Sequence, residues 1–225
     1  MFLLGSLVNG LAIAAGGLVG VLGGKFLPER MKDTLLHATA LMSIGVAIPG
    51  LVKTGNALIP ILSLVIGAIV GELLNIDGFV NRMGDKLQDT FKGRGKITEG
   101  FVTGSLVFAV GAMAVMGALD SGLKNDHSVL YAKSVIDGVA SIVFATGMGV
   151  GVMFSGISVL LVEGLIAAMA TLVAPFLSAA VMTEITFTGS LLILAISFNV
   201  LGITKIKVLN LVPALICPVF LCMFM

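Results

Sequence analysis

Long apolar stretches follow one another along almost the whole chain of 225 residues. A hydrocarbon core about 30 Å thick takes roughly 20 apolar residues to cross as a helix, and 58% of these residues are hydrophobic while only 11% are charged. Closed β-barrels also satisfy their backbone groups in lipid, but their strands alternate polar and apolar residues, and these stretches do not. The sequence therefore predicts an all-α, polytopic transmembrane helix bundle.

Charged and turn-rich breaks divide the chain into about eight predicted spans. Their predicted bounds are 2–23, 34–52, 57–76, 101–119, 130–153, 155–177, 181–202 and 206–225. No cationic segment precedes the first stretch, so it is predicted to be a retained helix and not a cleaved signal. We expect a single membrane domain over 1–225, made of a three-helix unit at 1–76, a linker helix at 77–100, a second three-helix unit at 101–177 and a C-terminal helix pair at 178–225.

The distribution of Lys and Arg predicts the orientation, because cytoplasmic loops carry the excess of both. Ten of these residues fall on one predicted side: Lys25, Arg30, Lys32, Arg82, Lys86, Lys92, Arg94, Lys96, Lys205 and Lys207. Three fall on the other side: Lys53, Lys124 and Lys133. This asymmetry predicts a multi-pass protein of the bacterial plasma (inner) membrane with both termini outside.

The segment 77–100 is the longest predicted loop, and it has a helical pattern of its own. Apolar residues recur every four positions at Phe79, Met83, Leu87 and Phe91, with charges on the other faces. This pattern predicts an amphipathic helix on the cytoplasmic surface of the membrane. A tether between two halves of the protein and a regulatory or partner-binding helix are both consistent with it.

A faint internal repeat relates the two three-helix units. Ser6-Leu7-Val8 aligns with Ser105-Leu106-Val107, Lys32 with Lys133, and Ile66-Gly67 with Glu163-Gly164, at separations of 97 to 101 residues. A unit with an odd number of spans is followed by a unit of opposite orientation. The alignment thus predicts inverted three-helix repeats.

Glycine is abundant, with 29 residues, and part of it follows a small-xxx-small spacing. Gly16, Gly20 and Gly24 form one such series, and Gly147, Gly151 and Ser155 form another. These series predict close helix packing or an interface between copies of the chain, and we expect a homo-oligomer, with a dimer favoured. A second interpretation of 147–151 is an unwound segment whose carbonyl groups coordinate an ion.

Ionisable residues inside predicted spans are candidates for function because burying them in lipid is costly. Asp137 lies in span five, and Lys133 precedes it by four residues, where the two side chains can pair. This pair is either purely structural or a carboxylate that binds a cation, a proton or an amine. Glu163 lies near the middle of span six and is either a neutral hydrogen-bonded residue or part of a site.

Two amides inside spans can present oxygen atoms to a cation or hydrogen-bond across helices: Asn9 in span one and Asn199 in span seven. The net charge of +1 indicates no nucleic-acid partner. None of the common catalytic or nucleotide-binding motifs is present, so an enzyme is not predicted. No cofactor is predicted, the sequence does not decide whether a metal binds, and the two cysteines are predicted to be packing residues.

Several motifs resemble the YqgA- and YdfK-like family of bacterial multi-spanning membrane proteins, a domain-of-unknown-function family. They are Leu27-Pro-Glu-Arg30, Gly71-Glu72 with Ile76-Asp77, Gly111 to Gly117, Lys133-Ser-Val-Ile-Asp137-Gly with Ser141-Ile, and Asn210-Leu-Val-Pro-Ala214. The resemblance implies a plasma-membrane protein of unassigned activity and adds Ser134 and Ser141 to the candidate site. This sequence departs from the family pattern at Ala112, where the family has Pro, and at Glu163, where it often has Gln.

Two functions are consistent with these features. The first is a secondary transporter or channel-like protein for a small solute or ion, whose site lies between spans one, five and six around Asp137. In that hypothesis the site consists of Asp137, Lys133, Ser134, Ser141, Glu163, Asn9 and Asn199. The alternative is a non-transporting oligomeric scaffold or sensor that uses its glycine-rich packing and its cytoplasmic amphipathic helix.

Overall fold

A computed structural model describes residues 2–82 and 97–224, and every regular element in those ranges is a helix. In chain order the α-helices are α1 (Leu4–Gly24), α2 (Glu29–Leu51), α3 (Leu58–Leu74), α4 (Ile76–Arg82), α5 (Ile97–Ala109), α6 (Ala112–Lys124), α7 (Ser128–Met148), α8 (Val150–Ala168), α9 (Ala170–Val173), α10 (Ala179–Val200), α11 (Val208–Leu211) and α12 (Cys217–Leu221). Short 3-10 helices follow α9 and α11, at Ala174–Phe176 and Val212–Leu215. The predicted all-α polytopic fold is confirmed.

Five of the described helices are long and apolar enough to cross a membrane: α1, α2, α7, α8 and α10. The count rises to seven if α3 with α4 and α5 with α6 are each taken as one bent span. The eighth predicted span, 206–225, instead forms a shorter apolar helical segment, Val208–Leu221. Pro213 and Pro218 lie inside this segment and interrupt its α-helical hydrogen bonding because proline has no N–H to donate.

Helix α1 lies between α7 and α8 and packs closely against both. Its predicted glycine series faces α7, where Cβ atoms at Gly16 and Gly20 would collide with the carbonyl oxygens of Gly138 and Ile142. The absence of side chains lets the two backbones approach within van der Waals contact. In the structure this series therefore packs against α7 inside the chain.

A neighbouring face of α1 packs against α8 in the same manner. A Cβ atom at Gly10 would lie 2.8 Å from the carbonyl oxygen of Gly156, and one at Gly17 would lie 2.7 Å from the Cα atom of Met153. Residue numbers rise together along α1 and α7 but in opposite directions along α1 and α8. Helices α7 and α8 are therefore an antiparallel hairpin that holds α1 along its length.

The turn of this hairpin is a single residue, Gly149, with φ +79° and ψ −158°. The prediction that spans five and six meet between 153 and 155 is wrong, and so is the prediction of one ridge through Gly147, Gly151 and Ser155. Gly147 belongs to α7 and packs against Leu35, whereas Gly151 belongs to α8 and packs against α5. Such a positive φ is readily adopted by glycine, which explains why the chain reverses at this position.

The predicted span 101–119 is not a straight helix, because the chain bends by 63° between α5 and α6. Gly111 lies at the bend with φ +151° and ψ +154°, a backbone conformation adopted almost only by glycine. Both halves pack on α8, with Gly104 against Ser155 in α5 and Gly122 against Ala167 in α6. The bend thus lies halfway along the bundle and not at its surface.

Helices α2, α3 and α10 and the C-terminal segment form the rest of the bundle. Gly50 of α2 packs against Ser190 of α10, and Gly67 and Gly71 of α3 pack against Ala214 and Asn210. Residues 208–221 therefore run antiparallel to α3. The predicted linker helix is described only as α4, which is bent by 54° from α3; the remaining residues of its apolar pattern, Met83, Leu87 and Phe91, lie outside the described residues.

Candidate functional site

Polar side chains from three long helices meet inside the bundle. Asn9 of α1 and Glu163 of α8 are completely buried, and Lys133 and Asp137 of α7 are 6% and 7% exposed. At a rise of 1.5 Å per residue, Asp137 lies about 14 Å from the start of α7, near its midpoint. We call these four residues the ionic cluster.

Lys133 is the centre of the cluster. Its ammonium group forms the i,i+4 ion pair with Asp137 that the spacing predicts, and its Nζ atom lies 3.7 Å from Oε1 of Glu163. Burial of an ammonium group is costly unless anionic or hydrogen-bonding groups surround it. The two carboxylates provide that surrounding from neighbouring helices.

Asn9 joins the two carboxylates. Its Nδ2 atom donates to Oδ2 of Asp137 at 3.2 Å and to Oε1 of Glu163 at 2.9 Å. Both amide hydrogens are therefore used, and α1, α7 and α8 are linked by side chains whose sequence positions differ by 128 and 154 residues.

The bend between α5 and α6 supplies the remaining contact of the ammonium group. Lys133 Nζ donates to the backbone carbonyl oxygen of Phe108 at 2.6 Å. In a continuous helix this oxygen would accept from the N–H of residue 112, but α5 ends at Ala109 and Gly111 turns the chain away. The broken helix thus presents a free carbonyl, at the negative end of α5, to a buried cation.

The cluster is left with unsatisfied oxygen atoms and unequal charge. Oε2 of Glu163 and Oδ1 of Asn9 are buried without a hydrogen-bond partner. The same is true of Oγ of Ser6, which lies one helical turn before Asn9 on α1. Two ionised carboxylates and one ammonium group sum to a charge of −1.

The remaining sequence-predicted site residues are placed elsewhere in the hydrogen-bond network. The hydroxyl groups of Ser134 and Ser141 are buried but donate within α7, to the carbonyl oxygens of Tyr131 and Gly138. Asn199 is at the end of α10, where its amide closes a turn by bonding Thr204 and both backbone groups of Ile206. The structure therefore does not bring Asn199 to the ionic cluster.

A second buried carboxylate, Glu184 of α10, was missed by the sequence reasoning. It is 2% exposed and accepts hydrogen bonds from the Thr54 hydroxyl, from the Gly55 N–H at 2.7 Å and from the Asn56 N–H at 3.2 Å. These groups form the turn between α2 and α3, so Glu184 fastens that turn to α10. Its position within the predicted span 181–202 could have identified it as a candidate, because any carboxylate inside a span needs a partner.

Several of the family motifs also contact one another. Oε1 of Glu72 accepts from Lys207 Nζ at 2.7 Å, and Oε2 accepts from Asn210 Nδ2. The Oδ1 atom of Asn210 accepts from the Asp77 N–H at 2.8 Å, at the start of α4. This network ties the bend between α3 and α4 to the C-terminal segment, and the hydrogen bond with Glu72 raises the pKa of the Lys207 ammonium group.

An apolar cavity of about 790 Å³ lies on another side of the bend, bounded by α5, α8, α10 and the C-terminal segment. Ala109, Val110 and Gly111 form part of its wall. Its polar side chains are Ser105 and Ser158, whose hydroxyl groups bond each other at 2.6 Å. The ionic cluster therefore contacts the C-terminal end of α5, and the uncharged cavity lies beside the bend that follows it.

Among the described residues no group of three or more His, Cys, Asp or Glu is arranged to hold a metal ion.

The fold and this cluster define a polytopic α-helical membrane protein with an ionic site buried between its spans. Residues 4–223 match the family described as protein of unknown function DUF554, and the chain belongs to that family. It is similar to uncharacterized protein YqgA of Escherichia coli strain K12, with 29% identity over 95% of this chain and 93% of the relative. It is also similar to uncharacterized membrane protein YdfK of Bacillus subtilis strain 168, with 27% identity over the same shares. No solved structure matches the chain.

Proposed function

We propose that the protein is a secondary transporter or channel-like protein that moves a small solute or ion across the bacterial plasma membrane through the ionic cluster. The observation that carries this proposal is the contact between Lys133 and the free carbonyl of Phe108, beside two carboxylates inside the bundle. Broken helices that turn backbone carbonyls toward buried charges are the usual construction of transporter sites. Buried ionisable residues that served only for packing would be expensive to retain in lipid.

The helix directions support an arrangement of two inverted units. Helix α5 runs parallel to α8, since Gly104 packs on Ser155 and Gly151 on Ile97, and it is therefore antiparallel to α1. In the proposed protein the first spans of the two units have opposite orientations, and movement of one group of helices against the other alternates access to the cluster. Under the positive-inside rule the end of the bundle at Gly149 faces the cytoplasm.

The scaffold or sensor alternative receives less support. It needs the glycine series of α1 for contacts between copies of the chain, but Gly16 and Gly20 are covered by α7 within one chain. An oligomer would therefore have to use another surface.

Uptake of solutes by purified protein in liposomes tests the proposal. A panel of radiolabelled inorganic cations, amino acids and small organic acids is offered to the wild type and to Asp137→Asn. Uptake of at least one compound should occur in the wild type and fall at least tenfold in the variant, because Lys133 loses its ion pair. Asp120→Asn is the matched control, since Asp120 pairs with the exposed Lys124 at a helix end. Full uptake in Asp137→Asn would disprove the assignment.

A further inference from the structure

Glu163 has one oxygen atom for which the described protein supplies no partner. Its Oε1 atom accepts from Asn9 and lies 3.7 Å from the ammonium group of Lys133, whereas Oε2 is buried without a hydrogen bond. An unsatisfied buried carboxylate oxygen costs more than a neutral one, because a charged acceptor loses more hydration. The structure therefore calls for a hydrogen at Oε2.

The charges that face Glu163 come from one neighbouring helix. Helix α7 contributes Lys133 and Asp137, and α1 contributes the uncharged Asn9. The carbonyl of Phe108 in α5 is occupied by Lys133. Helix α6 packs on α8 through Gly122 and Ala167, and its charged residues Asp120 and Lys124 pair with each other near the surface.

The sum of these charges is −1 when both carboxylates are ionised, so a single positive charge balances the cluster. Hard inorganic cations such as Mg²⁺ and Ca²⁺ take six or more oxygen ligands. Only three unpartnered oxygens are attached to the cluster or to the adjoining turn of α1: Oε2 of Glu163, Oδ1 of Asn9 and Oγ of Ser6. A metal cation would also meet the Lys133 ammonium group, whereas a proton needs one oxygen and one acceptor.

We propose that Glu163 carries one exchangeable proton on Oε2 and that this proton is the coupling ion of the proposed transporter. The proton leaves a hydronium ion, a new O–H bond forms at Oε2, and water is released; the reverse step delivers the proton to water on the other side. An amide that donates to one carboxyl oxygen can accept from the other, so Oδ1 of Asn9 is the chemically matched acceptor. The role as coupling ion rests on the proposed function, but binding of the proton does not.

Infrared difference spectroscopy of the wild-type protein in lipid tests the binding directly. The C=O stretching band of a protonated carboxylic acid should appear as the pH is lowered and shift in D₂O. It should be lost in Glu163→Gln, which keeps the shape of the side chain and cannot ionise. Glu72→Gln is the matched control, since Glu72 is an exposed carboxylate that already accepts from Lys207 and Asn210; this variant should keep the band.

The charge of the cluster also predicts the behaviour of a second variant. In Asp137→Asn the remaining carboxylate and Lys133 sum to zero, so the proton is no longer needed and the band should weaken in that variant too. A band that persists unchanged in Glu163→Gln, or the absence of any such band in the wild type, would overturn the proposal. So would a band that disappears at constant pH when KCl is replaced by NaCl, because a metal cation would then compete for the site.

The outcomes separate this inference from the proposed function. If the band depends on Glu163 but the protein takes up no solute, proton binding at Glu163 would be supported and the transport function would be disproved. If uptake depends on Asp137 but the Glu163 band is absent, the transport function would be supported and proton binding at Glu163 would be disproved.

Discussion

Lys133 donates a hydrogen bond to the carbonyl oxygen of Phe108 one residue before α5 ends. The bend at Gly111 and the cation of α7 therefore depend on each other. Without the bend, the carbonyl would be used within its own helix, and without the cation it would be an unsatisfied acceptor inside the bundle.

Replacement of Lys133 by Met should destabilise the fold strongly. The change leaves Asp137 without its counter-ion, and removal of one partner of a buried pair costs about 3–5 kcal/mol. We expect a loss of this size in the free energy of unfolding, measured by circular dichroism during SDS titration of mixed micelles. Lys124→Met is the control and should show no change, because its pair with Asp120 is exposed. A double variant, Lys133→Met with Asp137→Asn, should recover part of the loss.

Gly111→Ala should destabilise the bend. An alanine at φ +151° and ψ +154° is strained by about 1–3 kcal/mol, and relief of that strain would move the Phe108 carbonyl away from Lys133. We expect a lower midpoint of thermal unfolding in detergent and a loss of any transport activity. Gly45→Ala, within α2 and without a neighbouring atom within 4 Å of the new methyl group, should unfold at or above the wild-type temperature. Equal behaviour of the two variants would contradict the role of Gly111.

The glycine face of α1 gives a comparison within one helix. Gly20→Leu would drive a side chain into the carbonyl of Ile142, whereas Gly23→Leu would meet no atom within 4 Å of its Cβ. Overpacking typically costs about 1–3 kcal/mol and more where backbone must move. We expect a much lower yield of monodisperse protein for Gly20→Leu in size-exclusion chromatography and a normal yield for Gly23→Leu. Should Gly20→Leu fold normally but change only the oligomeric state, the intramolecular packing would be wrong.

Glu184→Ala should loosen the turn between α2 and α3. The N–H groups of Gly55 and Asn56 lose their acceptor, and hydrogen bonds to a charged group contribute about 1.5–3 kcal/mol. Hydrogen–deuterium exchange at these two amides should accelerate at least tenfold, with no change in α7 or α8. Thr183→Val is the control, because that exposed hydroxyl bonds only the Ala179 carbonyl of its own helix. Unchanged exchange in Glu184→Ala would exclude the fastening role.

The long helices could be predicted from the sequence because each has a run of apolar residues between charged or turn-rich breaks. The pair of Lys133 and Asp137 could also be predicted, since an i,i+4 spacing on a helix brings two side chains together. For Asn9 and Glu163, the sequence predicted a common site with this pair between spans one, five and six, but not which atoms are in contact. The role of these residues as a binding site stays a prediction.

The bend at Gly111 and the turn at Gly149 could not be predicted in the same way. Both lie inside apolar, glycine-rich stretches, where a glycine with positive φ has the same sequence signature as a glycine that packs two helices together. Asn199 shows the converse problem, because an amide near the end of a span suits a turn as well as a polar pocket. Glu184 was predictable in principle, but its partners are mainly backbone N–H groups, which no side-chain pattern reveals.

The position of α1 between α7 and α8 affects how the chain is made. Asn9 leaves the ribosome 154 residues before Glu163, which at 5–20 residues per second corresponds to about 8–30 s of synthesis. Asp137 follows Asn9 after 128 residues, so for most of that interval the amide and the glycine faces of α1 have neither of their final neighbours. Helix α1 is therefore made long before the helices it packs against, and its early contacts must be with lipid, the insertion machinery or temporary partners within the growing chain.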